Sequence, residues 1–97
     1  MALVNLLVED NPAERRFEIL LDDSLAGFIR YQVQSGTIVL WHTEVDPQFS
    51  DRGVGSALAR GTLDRLRERG DRVRVTCPFL LRFIERHPEY KPVVAES

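Results

Sequence analysis

From about residue 15 to residue 46, apolar and polar positions exchange with a period close to two. Phe17, Ile19 and Leu21 alternate with Arg16, Glu18 and Leu20, Asp22-Asp23 interrupts the pattern, and Leu25 to Val33 resumes it. Gln34-Ser35-Gly36 marks a second turn. The stretch from Gly36 to Asp46 is rich in β-branched and aromatic residues and stops before Pro47, which has no N–H for a ladder hydrogen bond. Such short turns between alternating segments predict three strands of an antiparallel meander. Ahead of them, Met1 to Val8 reads as a first strand or a partly ordered terminus, and Glu9 to Glu14 as a polar loop.

At Val54 the period lengthens to that of a helix. Leu58, Ala59, Thr62, Leu63 and Leu66 fall on one broad face with Gly55 above them, while Arg60, Asp64, Arg67 and Glu68 fall on the other. Gly70 is the expected stop after Arg69, and Arg72 to Cys77 reads as a further short strand. Strand, helix and strand predict a right-handed βαβ crossover in which the Val39 and Val75 strands run parallel. Pro78 suits the first position of a second helix, Phe79 to Arg86, which His87-Pro88 ends. The expected architecture is a mixed α/β (α+β) fold: an antiparallel meander leading into a parallel βαβ unit, with a C-terminal helix.

Within the third segment, strict alternation places Ile38, Leu40, His42, Glu44 and Asp46 on one face and Val39, Trp41, Thr43 and Val45 on the other. The first face thus turns from apolar to polar along its length. It either opens into a cleft near its C-terminal end or reaches solvent there. Ligands of βαβ units bind at the carboxyl ends of the strands, where Glu44, the Arg52-Gly53-Val54-Gly55-Ser56 turn and Cys77 converge. Free amides at that turn, opening a helix, are a setting in which proteins hold phosphates. Cys77 falls about at the N-cap of the second helix, a place that favours thiolate; an isolated cysteine is otherwise a small buried hydrophobe.

Length and composition bound these readings. With 97 residues, 43% of them hydrophobic and 29% charged, the chain is expected to form one domain spanning residues 1–97, small enough that a second copy in a homodimer would add stability. No apolar run of about 18 residues and no signal-peptide pattern occurs, so a cytoplasmic location without a membrane partner is expected. One cysteine excludes an intrachain disulfide and a multi-cysteine zinc site, and His42 and His87 lack the spacing of a helical metal pair, so no metal is expected.

The net charge of −2 argues against a nucleic-acid partner. Its distribution is uneven: residues 1–51 carry three Arg and nine Asp or Glu, whereas residues 52–86 carry nine Arg and four acidic residues. The positive half begins at the glycine-rich turn, which suits a small polyphosphorylated ligand as well as it suits a solvated helix face. Leu58 stands where a dinucleotide-binding fingerprint needs Gly or Ala, and neither a Gly-Lys-Ser/Thr loop nor a Gly-x-Ser-x-Gly elbow is present.

Taken together, Arg30-Tyr31, His42-Thr-Glu-Val45, Arg52-Gly-Val-Gly-Ser-Ala-Leu58, Cys77-Pro-Phe79 and His87-Pro-Glu-Tyr90 resemble the GNAT acetyltransferase superfamily. The likeness covers about residues 15–92 and is to its small single-domain, minimal N-acetyltransferase-like subgroup. It implies that acetyl-CoA or CoA is bound, with Ser50, Asp51, Arg52, Gly53, Val54, Gly55 and Ser56 around the pyrophosphate. Ser50 stands where the family usually has Gln or Arg. The likeness further implies that the strand ending at Val45 pairs with pantetheine amides, that Asp46 flanks this contact, and that Pro78, Phe79 and Arg82 lie in the segment beside the departing thiol. Larger members insert helices between their first two strands, where this chain shows only Asp22-Asp23-Ser24, so the acceptor site is expected to be open or completed by another chain.

The activity implied is acetyl transfer from acetyl-CoA to an amine of a protein or small molecule. An alkylamine with pKa about 10.4 needs a base near neutral pH, for which Glu44 is the first candidate and His42 the second. An acetyl-Cys77 intermediate is the rival route. Two other classes also fit: a CoA-binding or acyl-CoA-binding module without turnover, and a cysteine hydrolase using Cys77 with His42 or His87.

Overall fold

Leu6–Asn11 (β1), Arg16–Leu21 (β2), Ser24–Gln34 (β3) and Thr37–Val45 (β4) form four antiparallel strands, one more than the alternation predicts. The computed structural model describes residues 5–49 and 53–94. Two-residue turns join β2 to β3 and β3 to β4. Asp22, Asp23, Ser35 and Gly36 all adopt positive φ, as type I′ hairpins require to match the strand twist. A 3₁₀ turn, Pro47–Phe49, follows β4, and then come α1 (Val54–Arg69), β5 (Arg72–Val75), α2 (Pro78–Arg86) and a 3₁₀ segment, Pro88–Val93. β5 pairs with β4 in parallel, giving one sheet in the order β1-β2-β3-β4-β5 and the expected β4-α1-β5 unit.

β1 takes in Glu9, Asp10 and Asn11, where the sequence predicts a polar loop; residues 1–4 of the expected Met1–Val8 segment lie outside the described residues. The reason lies in its partners. The Tyr31 hydroxyl donates to Asp10 Oδ1 at 2.7 Å, Arg69 Nη1 donates to Asp10 Oδ2 at 3.0 Å, and Asn11 Nδ2 donates to Glu18 at 3.0 Å. These polar side chains are satisfied by the sheet and by the end of α1. Burial, followed by the Asp10 hydrogen bond and charge, pushes the Tyr31 pKa up to about 12. Because β1 and β2 are the first two strands, the turn that joins them spans residues 12–15 and is not Asp22-Asp23-Ser24.

The core lies on one face of the sheet. Phe17 and Ile19 of β2, Ile29 and Tyr31 of β3, and Ile38 and Leu40 of β4 meet Leu58, Leu63 and Leu66 of α1, and Leu80, Phe83 and Ile84 of α2 join the same cluster. Gly61 lets α1 lie against β1, since a Cβ there would come within 2.6 Å of Val8 Cγ2. The last segment is held by Tyr90, whose hydroxyl donates to Asp64 at 2.8 Å and whose ring stacks near Phe83. No helix of the described residues is long and apolar enough to cross a membrane.

Candidate functional site

The course of β4 decides where the candidate residues go. Arg30 faces His42, but Tyr31 faces Leu40, so Trp41 is an extra residue in β4, a β-bulge. A bulge inverts the alternation beyond it. Thr43 and Val45 therefore continue the helix-covered face of Ile38 and Leu40, and Val45 packs against the core. His42 and Glu44 turn to the opposite face beside Arg30 and Phe28, which overturns the single-face arrangement expected from the sequence. There His42 Nε2 lies 3.0 Å from Glu44 Oε1, with both side chains substantially exposed.

The same strand has an unpaired edge. Pairing with β5 ends at Leu40 and Val75, followed by one hydrogen bond from Thr76 N–H to the Leu40 carbonyl at 3.0 Å. β5 then gives way to α2, while β4 runs on to Val45. On its other side β4 stays bonded to β3 as far as Asp46, whose N–H donates to the Ala26 carbonyl at 2.8 Å. Antiparallel ladders alternate, so the N–H and C=O of Thr43 and Val45 point to the edge that β5 has left. Among the described residues no strand pairs there.

Three further features border this opening. Cys77 is the N-cap of α2, as expected; it is 4% exposed, and its Sγ lies 3.1 Å from Thr43 Oγ1 across the gap. At α1, Gly53 caps in the left-handed region (φ 72°) without a side-chain hydrogen bond, and the helix's first bond runs from Ala57 N–H to the Gly53 carbonyl. The amides of Val54, Gly55 and Ser56 have no acceptor within the helix. Gly55 holds this turn against the strand ends: a Cβ there would be 3.0 Å from Phe79 Cζ and 3.6 Å from Val45 Cγ2. Ser50, Asp51 and Arg52 lie outside the described residues.

Two hollows flank the opening. One, about 430 Å³, lies between residues 25–28 and residues 44–47 and includes Glu44 and Asp46. Asp46 Oδ1 accepts the Gln48 N–H at 2.9 Å, so this carboxylate shapes the turn after β4. The other, about 270 Å³, is bounded by Ser56, Phe79, Arg82, Phe83, Arg86 and His87. The structure thus gathers Val45, Gly53, Val54, Gly55, Ser56, Pro78, Phe79 and Cys77 at one end of the sheet, with Arg82 one turn along α2, and sets His42 and Glu44 on the sheet's other face. Of the residues at these sites, Thr43, Phe28 and Arg86 carry no sequence expectation of a role, and His87 is expected only as a partner of Cys77. Thr43 shares its edge with Val45, and Arg86 follows Arg82 by one helical turn, so both were within reach of the pattern.

Comparison with known proteins bears on this arrangement. The family described as GCN5-related N-acetyl-transferase matches residues 16–93. The chain belongs to the GCN5-related N-acetyltransferase family. Protein NATD1 of Xenopus tropicalis is 27% identical over 86 residues, covering 87% of this chain and 79% of the relative. Protein NATD1 of Bos taurus is 30% identical over 83 residues, covering 84% and 74%. A GCN5-like protein of Staphylococcus aureus, solved by NMR, has the same fold, with a TM-score of 0.68 at 24% identity and coverage of 96% of this chain and 91% of that one. The ribosomal-protein-S18-alanine N-acetyltransferase of Escherichia coli superimposes with a TM-score of 0.60 at 25% identity, over 76% of this chain and 52% of that one. A mixed α+β fold and membership in an acetyltransferase family are therefore established for the chain.

Proposed function

We propose that the protein is an acetyl-CoA-dependent N-acetyltransferase acting on an amine of a protein or small molecule. The observation that carries this reading is the free β4 edge at Thr43 and Val45, set beside the uncapped amides of α1. An extended chain with amides can add to such an edge as a strand would, and a diphosphate suits a helix start. In this reading Thr43 and Val45 hold the pantetheine arm, and Val54, Gly55 and Ser56 hold the diphosphate, with Ser50, Asp51 and Arg52 leading into that turn. Pro78 and Phe79 border the arm from α2.

Bound acetyl-CoA would supply a thioester carbonyl open to attack by a neutral amine, releasing CoA as the thiol. The residues of the chain then divide the remaining work. Glu44, exposed on the hollow of about 430 Å³, takes the proton that the substrate ammonium must lose before it attacks as the neutral amine. His42, donating from Nε2, holds the Glu44 carboxylate in place. A backbone N–H of the open edge polarises the carbonyl. Cys77 has the thiol for an acetyl-enzyme route, yet it is 4% exposed and engaged with Thr43, so Glu44 is the better-placed group.

The test is to incubate the protein with acetyl-CoA and a panel of primary amines and peptides, following thiol release and the acetylated product by mass spectrometry. Turnover is expected, and Glu44→Gln should lower kcat about 10²- to 10⁴-fold. Binding of CoA without product across the panel would leave a carrier or binding module. Unchanged kcat in Glu44→Gln would remove Glu44 from the reaction.

A further inference from the structure

Both helices and the closing 3₁₀ segment pack on one face of the sheet, and no described element covers the other. The bare face carries more positive charge than it neutralises. Glu18 is held by Arg16 at 2.7 Å and Glu44 by His42 at 3.0 Å, and Glu9 stands at the far edge, on β1. Arg30 of β3 and Arg72 and Arg74 of β5 have no carboxylate partner among the described residues. Arg30 also lies directly opposite Arg16, a like-charge placement that weakens a sheet, and the two guanidiniums sit over the Phe28 ring at 4.9 and 4.7 Å. The bulge residue Trp41 belongs to this face: its ring centre is 5.7 Å from that of His42, and it is 43% exposed.

These groups border the proposed base. Arg30 pairs with His42 and Phe28 with Glu44, so Arg30 stands two residues, about 7 Å, along the sheet from Glu44. Arg74, paired with Val39, lies further along β4 in the same direction. A strand-like peptide laid along β4 with its amine at Glu44 turns every second side chain back toward the sheet, the first of them to Arg30. A flat face of this kind suits an extended chain better than a small molecule, which binds in concave sites that enclose it. We propose that the bare face receives a peptide whose acceptor amine is flanked by acidic residues, with Arg30 and Arg74 taking the carboxylates and Trp41 the peptide's apolar contacts. This rests on the acetyltransferase reading and adds to it the class of acceptor. A polynucleotide would satisfy the arginines but brings no alkylamine to Glu44. Solvent reaches both arginines, so the preference should shrink as salt rises.

The experiment uses the full chain, acetyl-CoA and three peptides with blocked termini and one central lysine, carrying Glu, Gln or Arg two residues to either side of it. Product formation gives kcat/KM, and the emission of Trp41, the chain's single tryptophan, gives binding without turnover. Wild type and Arg30→Gln/Arg74→Gln are compared, with circular dichroism confirming the variant's fold. Wild type should prefer the Glu peptide to the Gln peptide about fivefold or more in both readouts, with the Arg peptide poorest. The double variant should treat the Glu and Gln peptides alike. Equal kcat/KM for all three peptides in wild type would overturn the acidic preference while leaving the acetyltransferase intact. A variant that loses the Glu and Gln peptides equally, or keeps the wild-type preference, would overturn the role of the arginines. A Glu preference in Trp41 emission with no product from any peptide would uphold the docking face and overturn the acetyltransferase reading instead. Tighter binding of a single-stranded oligonucleotide than of the Glu peptide, read from Trp41, would assign the face to nucleic acid and overturn the proposal.

Discussion

Gly27 is where the packing of the site can be tested with a single methyl group. It sits on the core face of β3 opposite Val45, and a Cβ there would lie 2.7 Å from the Glu44 carbonyl oxygen and 3.3 Å from Val45 Cα. Both neighbours are backbone, so no rotamer change relieves the clash; β3 and β4 must part at the end that carries the open edge. Overpacking of this kind costs about 1–3 kcal/mol. Loss of unfolded-state freedom on replacing Gly returns about 0.4–1 kcal/mol. Gly27→Ala should therefore lose roughly 1–2 kcal/mol, and at this chain length Tm should fall by roughly 5–15 °C. Thermal and urea unfolding followed by circular dichroism measure the loss. A Gly27→Ala protein as stable as wild type would refute the close strand approach on which this argument rests.

Other outcomes are expected. The raised Tyr31 pKa means that the native state holds the phenolic proton more tightly than the unfolded chain, so its contribution is complete below about pH 10 and is lost as pH rises toward about 12. Alkaline unfolding should show a slope over that window worth on the order of 2 kcal/mol, and Tyr31→Phe should flatten it; an identical slope in the variant would place the titration elsewhere. Leu63→Ala, at a fully buried position between α1 and the sheet, should cost about 2–5 kcal/mol in urea unfolding, and a loss under 1 kcal/mol would mean that α1 is loosely seated. Cys77→Ala should keep kcat within about tenfold of wild type, since Glu44 is the proposed base; a loss as deep as that of Glu44→Gln would move the chemistry to the thiol.

Much of the scaffold can be read from local pattern. The bounds of α1 follow from Gly55, the Leu58 to Leu66 face and Gly70, and the parallel β4-α1-β5 unit follows from the order of its elements. Two features resist such reading, each for a physical reason. β1 extends through Glu9, Asp10 and Asn11 because Tyr31 and Arg69, distant in sequence, and Glu18 on the neighbouring strand supply the hydrogen bonds; polarity alone reads there as loop. The bulge at Trp41 reverses which face Glu44 and His42 occupy, and the only local sign is the unbroken apolar run Ile38-Val-Leu-Trp41. The location of the candidate site is thus legible from strand ends and the glycine turn. The separation of Glu44 from Cys77 by the thickness of a strand is not, since a one-residue slip in register sets it.

The central claim is that the backbone edge of Thr43 and Val45, with the amides of Val54, Gly55 and Ser56, seats the acyl carrier. A backbone amide NMR titration of the folded chain with CoA tests it residue by residue. The account predicts saturable shifts concentrated at these five amides, with increased protection from hydrogen exchange at Thr43 and Val45. Millimolar CoA that leaves these amides unmoved, or shifts centred on the β1 edge instead, would contradict it.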